Sequence, residues 1–407
     1  MNGRKKIIWY SLIMILTFFI FGLKIEASAI EEIEKIEIDV QDEEKQMNEE
    51  QIIDYGINLL DWDSINALQE ELAGAMPENI SFDLKGEMQK LIKGETEMSL
   101  EKVLAYIGGI LFSEIGVFIQ LGARFILIVL LCNLLQTLSS SFKSKNTSKV
   151  AFFVCYMAIL LSVVQSFKVM IELATTLIDQ ITHLMMVVIP IMLAFMATSG
   201  FNLSAGAMAP VIITTLNIMS YLIKVIVLPC IISVIVLEIV SSMSEEFKVN
   251  KLIGLFYKGI KWALRSILGI SVALLSLYRY TMPGVDMTLK NATVKFSSAF
   301  IPVVGGAVGG TIDFITQVST LIKNAFGGSI IIWILLLVSI PMLKIFAYGC
   351  IYQIAGAVIE PIGDKKMATI ATKLGKGCQF VMSSVGIVVL FGICAIGICM
   401  SITAAGV

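Results

Sequence analysis

Apolar positions fall into three regimes along this chain. Residues 7–23 form one largely apolar run, residues 30–48 are strongly acidic, and from residue 117 onward apolar stretches follow one another with short polar gaps. A helix needs about 20 apolar residues to cross a bilayer. Residues 117–138, 150–167, 181–198, 205–222, 224–243, 263–280, 329–352 and 379–404 approach or exceed that length. Before them, residues 49–96 show amphipathic helical spacing, as at Ile52, Ile53, Leu59 and Leu60, then Leu68 and Leu72, then Met88, Leu91 and Ile92. Two or three short helices are expected there. Ser99 can cap a further helix over 100–115 lying in the membrane interface.

The pattern predicts an all-α, polytopic membrane protein with about eight membrane segments, some of them re-entrant, and a small helical extracytoplasmic N-terminal region. The expected organisation is a signal peptide at 1–29, an acidic extracytoplasmic helical region at 30–98, an interfacial helix and two spans at 99–168, and membrane repeats at 180–280 and 292–407.

Charge refines this picture. Charged residues are 15% of the chain and hydrophobic residues 57%, against about 25% charged in soluble domains. Residues 31–100 hold 20 of the 32 acids. Arg4, Lys5 and Lys6, the apolar run behind them and the small residues Ala27 and Ala29 form a secretory signal with a cleavage site. An uncleaved first span is the alternative, and both place residues 30–98 outside the cytoplasm. Basic loops at 139–150, 244–262 and 363–377 mark the cytoplasmic side. Lys248, Lys251, Lys258, Lys261, Lys365, Lys366, Lys373 and Lys376 are candidate docking points there, or only positive-inside anchors. A net charge of −2 gives no footprint for nucleic acid.

Chemistry is sparse. The seven cysteines lie in or beside apolar segments without a CxxC and read as packing residues. His183 is the single histidine, and no triad or metal cluster assembles around it, so neither an enzyme nor a cofactor is expected. Lys224, Glu238 and Asp313, with Asp179 nearby, are ionisable groups in membrane segments, where such groups are functional candidates.

A repeat is suggested by proline spacing. A shift of 112 residues places Ile189-Pro190 on Ile301-Pro302 and the span with Pro229 on the span with Pro341. Both basic loops would then face one side, making the repeat parallel. Gly305, Gly306, Gly309 and Gly310 follow Pro302. They form either a close-packing helix face or the tip region of a re-entrant hairpin, going in over 296–312 and out over 313–326. In the first half, the matching tip would be 197–206, with Ser199 and Gly200 at its turn. Broken segments in matching places of two halves point to a transport pathway, which leaves a stand-alone transporter of a small solute as the alternative function.

Four stretches carry a more specific likeness: I189PIMLAFMATSG200, S242MSEEFKV249, T293VKFSSAFIPVVGG306 and L321IKNAFG327. With them the chain resembles the stage III sporulation protein AE family over essentially its whole length. The resemblance implies a membrane subunit of the channel between mother cell and forespore, needed for forespore development. It would work with a secretion-type ATPase, ring-forming membrane proteins and a forespore-side partner.

Overall fold

A computed structural model describes residues 57, 62–73, 83–93, scattered positions between 109 and 134, and 145–243, 249–300, 305–362 and 365–402. The signal peptide with Ala27 and Ala29, as well as Lys248 and Pro302, lie outside them. The described residues are helical throughout, without strands. Two short helices come first, α1 (Trp62–Ala73) and α2 (Leu84–Ile92). Long helices follow: α3 (Lys145–Thr198), α4 (Asn202–Leu222), α5 (Leu228–Met243), α6 (Asn250–Phe300), α7 (Gly305–Ile362) and α8 (Lys365–Ser401). Residues Ile223–Val227 are a π-turn joining α4 to α5.

Among the described residues five runs are long and apolar enough to cross a membrane: Met157–Thr198, Asn202–Ser241, Asn250–Asp286, Thr316–Pro361 and Met367–Ser401. Eight segments were expected: much of 117–138 lies outside the described residues, 205–222 and 224–243 join through the π-turn into one run, and 150–167 and 181–198 join within α3. The polar interval 168–180 does not end a helix; α3 passes through it, joining the apolar stretches 150–167 and 181–198. Helical hydrogen bonds are blind to side-chain polarity, so hydropathy marks spans without marking helix ends. In the same way α7 runs unbroken through 313–326 and past Pro341. The hairpin expected to return over 313–326 is therefore absent, because those residues lie inside one continuous helix. Gly305, Gly306, Gly309, Gly310 and Asp313 occupy the first turns of that helix.

The helices alternate in direction. Thr182 meets Ser220, Ser271 meets Met219, and Gly356 of α7 faces Thr372 of α8. One end of the bundle consequently gathers the α5–α6 and α7–α8 connections with their lysines. The opposite end gathers the α3–α4 turn, the C-terminus of α8 and the N-terminal helices. α8 is the hub, touching α3, α4, α5, α6 and α7. Its most apolar window is 67% buried, against 22% for the peripheral α6.

α1 and α2 are too short to enclose a core of their own. Their buried stripes, Ile65, Leu68 and Leu72 on α1 and Leu84, Met88 and Leu91 on α2, join the main core instead. α2 packs on α7.

Small residues set the closest approach. An added Cβ at Gly356 would meet the Ala368 carbonyl oxygen at 3.1 Å and Thr372 Oγ1 at 3.0 Å. Both belong to a rigid helix, so Gly356→Leu should wedge α7 from α8. We expect a loss of about 1–3 kcal/mol, read as earlier thermal unfolding in detergent. Gly206→Leu, where an added Cβ meets nothing within 4 Å, should be near neutral.

Candidate functional site

The α3–α4 turn falls at the first-half tip expected from sequence. Gly200 has φ 91°, a left-handed conformation that suits glycine. The Phe201 amide donates to the Met196 carbonyl and the Gly200 amide to the Ala197 carbonyl, both at 3.0 Å. That pairing is a Schellman cap, and Met196 and Phe201 are both buried beside it. Ser199 is fully buried and its hydroxyl donates to the Phe195 carbonyl at 2.8 Å. Ser199 and Gly200 thus build a helix turn. Pro190 lies well inside α3, exposed on its surface.

The new helix α4 starts with unpaired amides, and a carboxylate from α6 receives them. Asp286, 5% exposed, accepts from the Leu203 amide at 3.0 Å, from the Ser204 amide at 2.8 Å and from the Ser204 hydroxyl. A negative charge there also opposes the positive end of the helix dipole. At the same end, Lys323 of α7 is fully buried and donates to the carbonyls of Cys399 and Met400 at 2.8 and 2.9 Å. It completes the last turn of α8, where a cation suits the negative dipole end. Sequence reading missed both residues. Asp286 follows Pro283-Gly284, which reads as a loop signal, yet α6 continues through it. Lys323 sits in the stretch read as a returning hairpin arm; its polarity reflects burial in protein.

At the basic end, Glu238 is 4% exposed. Tyr257 donates its hydroxyl to it at 3.0 Å, and Lys373 lies 3.5 Å away. Tyr257 stacks on Phe380, with ring centroids 5.5 Å apart, and the Lys261 ammonium stands 5.9 Å from the same ring. Candidate residues from both basic loops therefore come to one place, Lys373 on the intramembrane candidate Glu238 and Lys261 on the Phe380 ring that Tyr257 stacks against. Lys251, Lys258 and Lys376 are exposed around it; Lys365 and Lys366 open α8. Glu238 is the buried partner, and the Lys373 side chain is 27% exposed. Lys373→Met takes the paired cation from a buried carboxylate and leaves it the Tyr257 hydroxyl, whereas Glu238→Gln leaves a lysine that water can reach. We expect the first to cost about 2–3 kcal/mol and the second less than about half that, by thermal unfolding in detergent.

Two further candidates, Lys224 and Asp179, meet between α3 and the π-turn. Leu228 donates its amide to the Ile223 carbonyl five residues back. Pro229 explains the widening: it has no amide for the Val225 carbonyl, and its ring crowds that group. Lys224 lies within the π-turn and forms an ion pair with Asp179 of α3. One turn away, the Thr182 and Ser220 hydroxyls are 2.9 Å apart. Among the described residues no group of His, Cys, Asp and Glu could hold a metal ion.

Comparison with known proteins agrees with the resemblance seen in the four quoted stretches. A family model for Stage III sporulation protein AE matches residues 82–403. The Stage III sporulation protein AE of Bacillus subtilis (strain 168) is 31% identical over 327 residues, covering 80% of each chain. No solved structure matches. The match spans α2 to the end of α8 and so includes both capped ends, the π-turn and the basic cluster. This chain belongs to the stage III sporulation protein AE family.

Proposed function

We propose that this protein acts in sporulation as an integral membrane subunit of a mother-cell/forespore channel. The observation that carries the reading is family membership across five membrane-length apolar runs. Alternating helix directions support a topology with the basic loops in the cytoplasm and α1 and α2 outside it. The parallel repeat belongs to this reading: α4 with α5 corresponds to α7, and α6 to α8, each pair joined by a basic loop. α7 is buried at every residue from Ile322 to Leu335, so the centre of one copy is filled with side chains. A passage would then need further subunits, consistent with work in an assembly.

The partners proposed are a secretion-type ATPase docking at the Lys261–Lys373 cluster, ring-forming membrane proteins, and a forespore-side protein reached indirectly. The stand-alone transporter is not favoured, because it needs a second broken hairpin where α7 is continuous. Crosslinked purification of the protein from sporulating cells, followed by mass spectrometry, tests the proposal. Recovery of a sporulation ATPase and ring proteins is expected. Recovery of the protein alone, from membrane that does not face the forespore, would overturn it.

A further inference from the structure

α6 carries the marks of two membrane interfaces. Trp262 and Tyr280 are its most exposed aromatic residues, at 73% and 81%. Lys261 and Arg265 accompany the first, and Arg279 the second, all exposed. Aromatic residues with snorkelling cations mark bilayer boundaries. The helix between them is about 27 Å long at 1.5 Å per residue, close to a hydrocarbon core of about 30 Å. Between the belts the outer face of α6 is apolar, with Ile270 and Leu277 each 62% exposed. This face suits lipid. Its middle lies near Ser271, which meets Met219 of α4, and the neighbouring Ser220 meets Thr182 of α3. Thr182 therefore sits near the bilayer midplane.

The outer face of α3 is different. Gln165, Lys168, Glu172, Thr176, Asp179 and His183 are all exposed and recur three or four residues apart, which makes one stripe. The stripe starts beyond the basic-side interface and stops at the midplane. Past it the same face turns apolar and small, with Met186, Pro190 and Ala194. Its charges are paired: Lys168 with Glu172 at 3.7 Å, and Asp179 with Lys224, whose side chains are 54% and 29% exposed. Charged groups within a bilayer face protein interior or water, not acyl chains.

We propose that the α3 stripe and the Lys224 π-turn line a water-filled groove that enters from the basic side and ends near the midplane. The π-turn is what allows it, by turning Lys224 toward Asp179. The paired charges cancel, so the groove favours neither sign of ion. Residues Met186 to Ala194 form its apolar floor. The inference rests on the membrane-subunit reading above and names the surface through which such a subunit meets a conducted species.

Single cysteines test it: Thr176→Cys and His183→Cys in the groove, Ile270→Cys and Leu277→Cys on the lipid face. A thiol must ionise to react, and water permits this where acyl chains do not. A membrane-impermeant, charged thiol reagent supplied from the basic side of inverted vesicles should label the groove positions at least about tenfold faster than the lipid-face positions. The labelling of the parent protein, with its native cysteines, is subtracted. Equal slow rates at all four positions would overturn the groove. Unreactive groove positions with spontaneous Thr176→Cys disulfide dimers would also overturn it and place a second copy there. Labelling is scored separately from partner recovery. Fast groove labelling without partners would leave the groove standing and remove the assembly proposal.

Discussion

Asp286→Ala should destabilise the protein by about 2–4 kcal/mol, from two buried donors and one part-buried donor losing their acceptor at about 1–3 kcal/mol for each buried one. Those donors are the amides of Leu203 and Ser204 and the Ser204 hydroxyl. Ser204 is fully buried, so water does not replace the carboxylate. The loss concerns more than a cap. Asp286 is also what ties the far end of α6 to the α3–α4 turn, since the span window of α6 is otherwise the least buried of the five. Asp286→Asn keeps one acceptor oxygen and should lose about half as much. Ser204→Ala removes one donor together with its need and should cost less than about 1 kcal/mol. Thermal unfolding of the detergent-solubilised protein reads the series. An Asp286→Ala midpoint equal to the parent's would show that the carboxylate does not hold the turn.

Lys323 gives the second large effect, and its sign can be tested. Lys323→Glu should prevent accumulation of folded protein. It places a carboxylate against two carbonyls at the negative end of α8, in a site with no exposure. Breaking a buried charge arrangement typically costs about 3–5 kcal/mol, a large share of a domain's stability. Lys323→Met keeps the aliphatic stem, so packing against α8 survives. The two carbonyls lose their donor, while the cost of burying an ammonium is returned, and a net loss of about 1–2 kcal/mol is expected. Protein level in the membrane and protease sensitivity at the end of α8 measure both. Comparable behaviour of the two variants would mean that Lys323 acts through its volume rather than its charge.

Asp286 and Lys323 act at the same end of the bundle with opposite charges, and each answers the dipole of the helix it caps. Buried ions are expensive, and helix termini in an apolar bundle are too, because their amides and carbonyls lack water. Bringing the two together satisfies both. At the basic end Glu238 works differently, gathering Tyr257 and Lys373 from separate helices. That cluster is where the two basic connections meet, which is why docking is proposed there.

Much of this was legible in the linear sequence because it is local. Long apolar stretches required membrane helices, and lysine-rich connections marked one common end. The sequence A197TSGFNLSAG206 announced a turn through a glycine flanked by polar residues, and that is where α3 gives way to α4. The π-turn just before Pro229 was not foreseen, since Pro190, Pro210 and Pro341 sit inside continuous α-helices. The quoted stretches around 189–200, 242–249, 293–306 and 321–327 carried the family likeness.

Only the tertiary structure decided the rest, for reasons of distance along the chain. Hydropathy counts residues that favour lipid, but α3 stays helical across Lys168–Gln180 because backbone hydrogen bonds do not depend on side-chain polarity, and its exposed charges pair as Lys168–Glu172 and Asp179–Lys224. The four glycines of 305–310 begin α7 rather than a hairpin tip, and close helix contacts at Gly356 and Gly375 were not foreseen. Leu203 and Asp286 are 83 residues apart, and Lys323 and Cys399 are 76 apart. No local pattern links such pairs. Each charge reads as a loop or interface residue until packing removes the water around it and leaves a helix terminus as its partner.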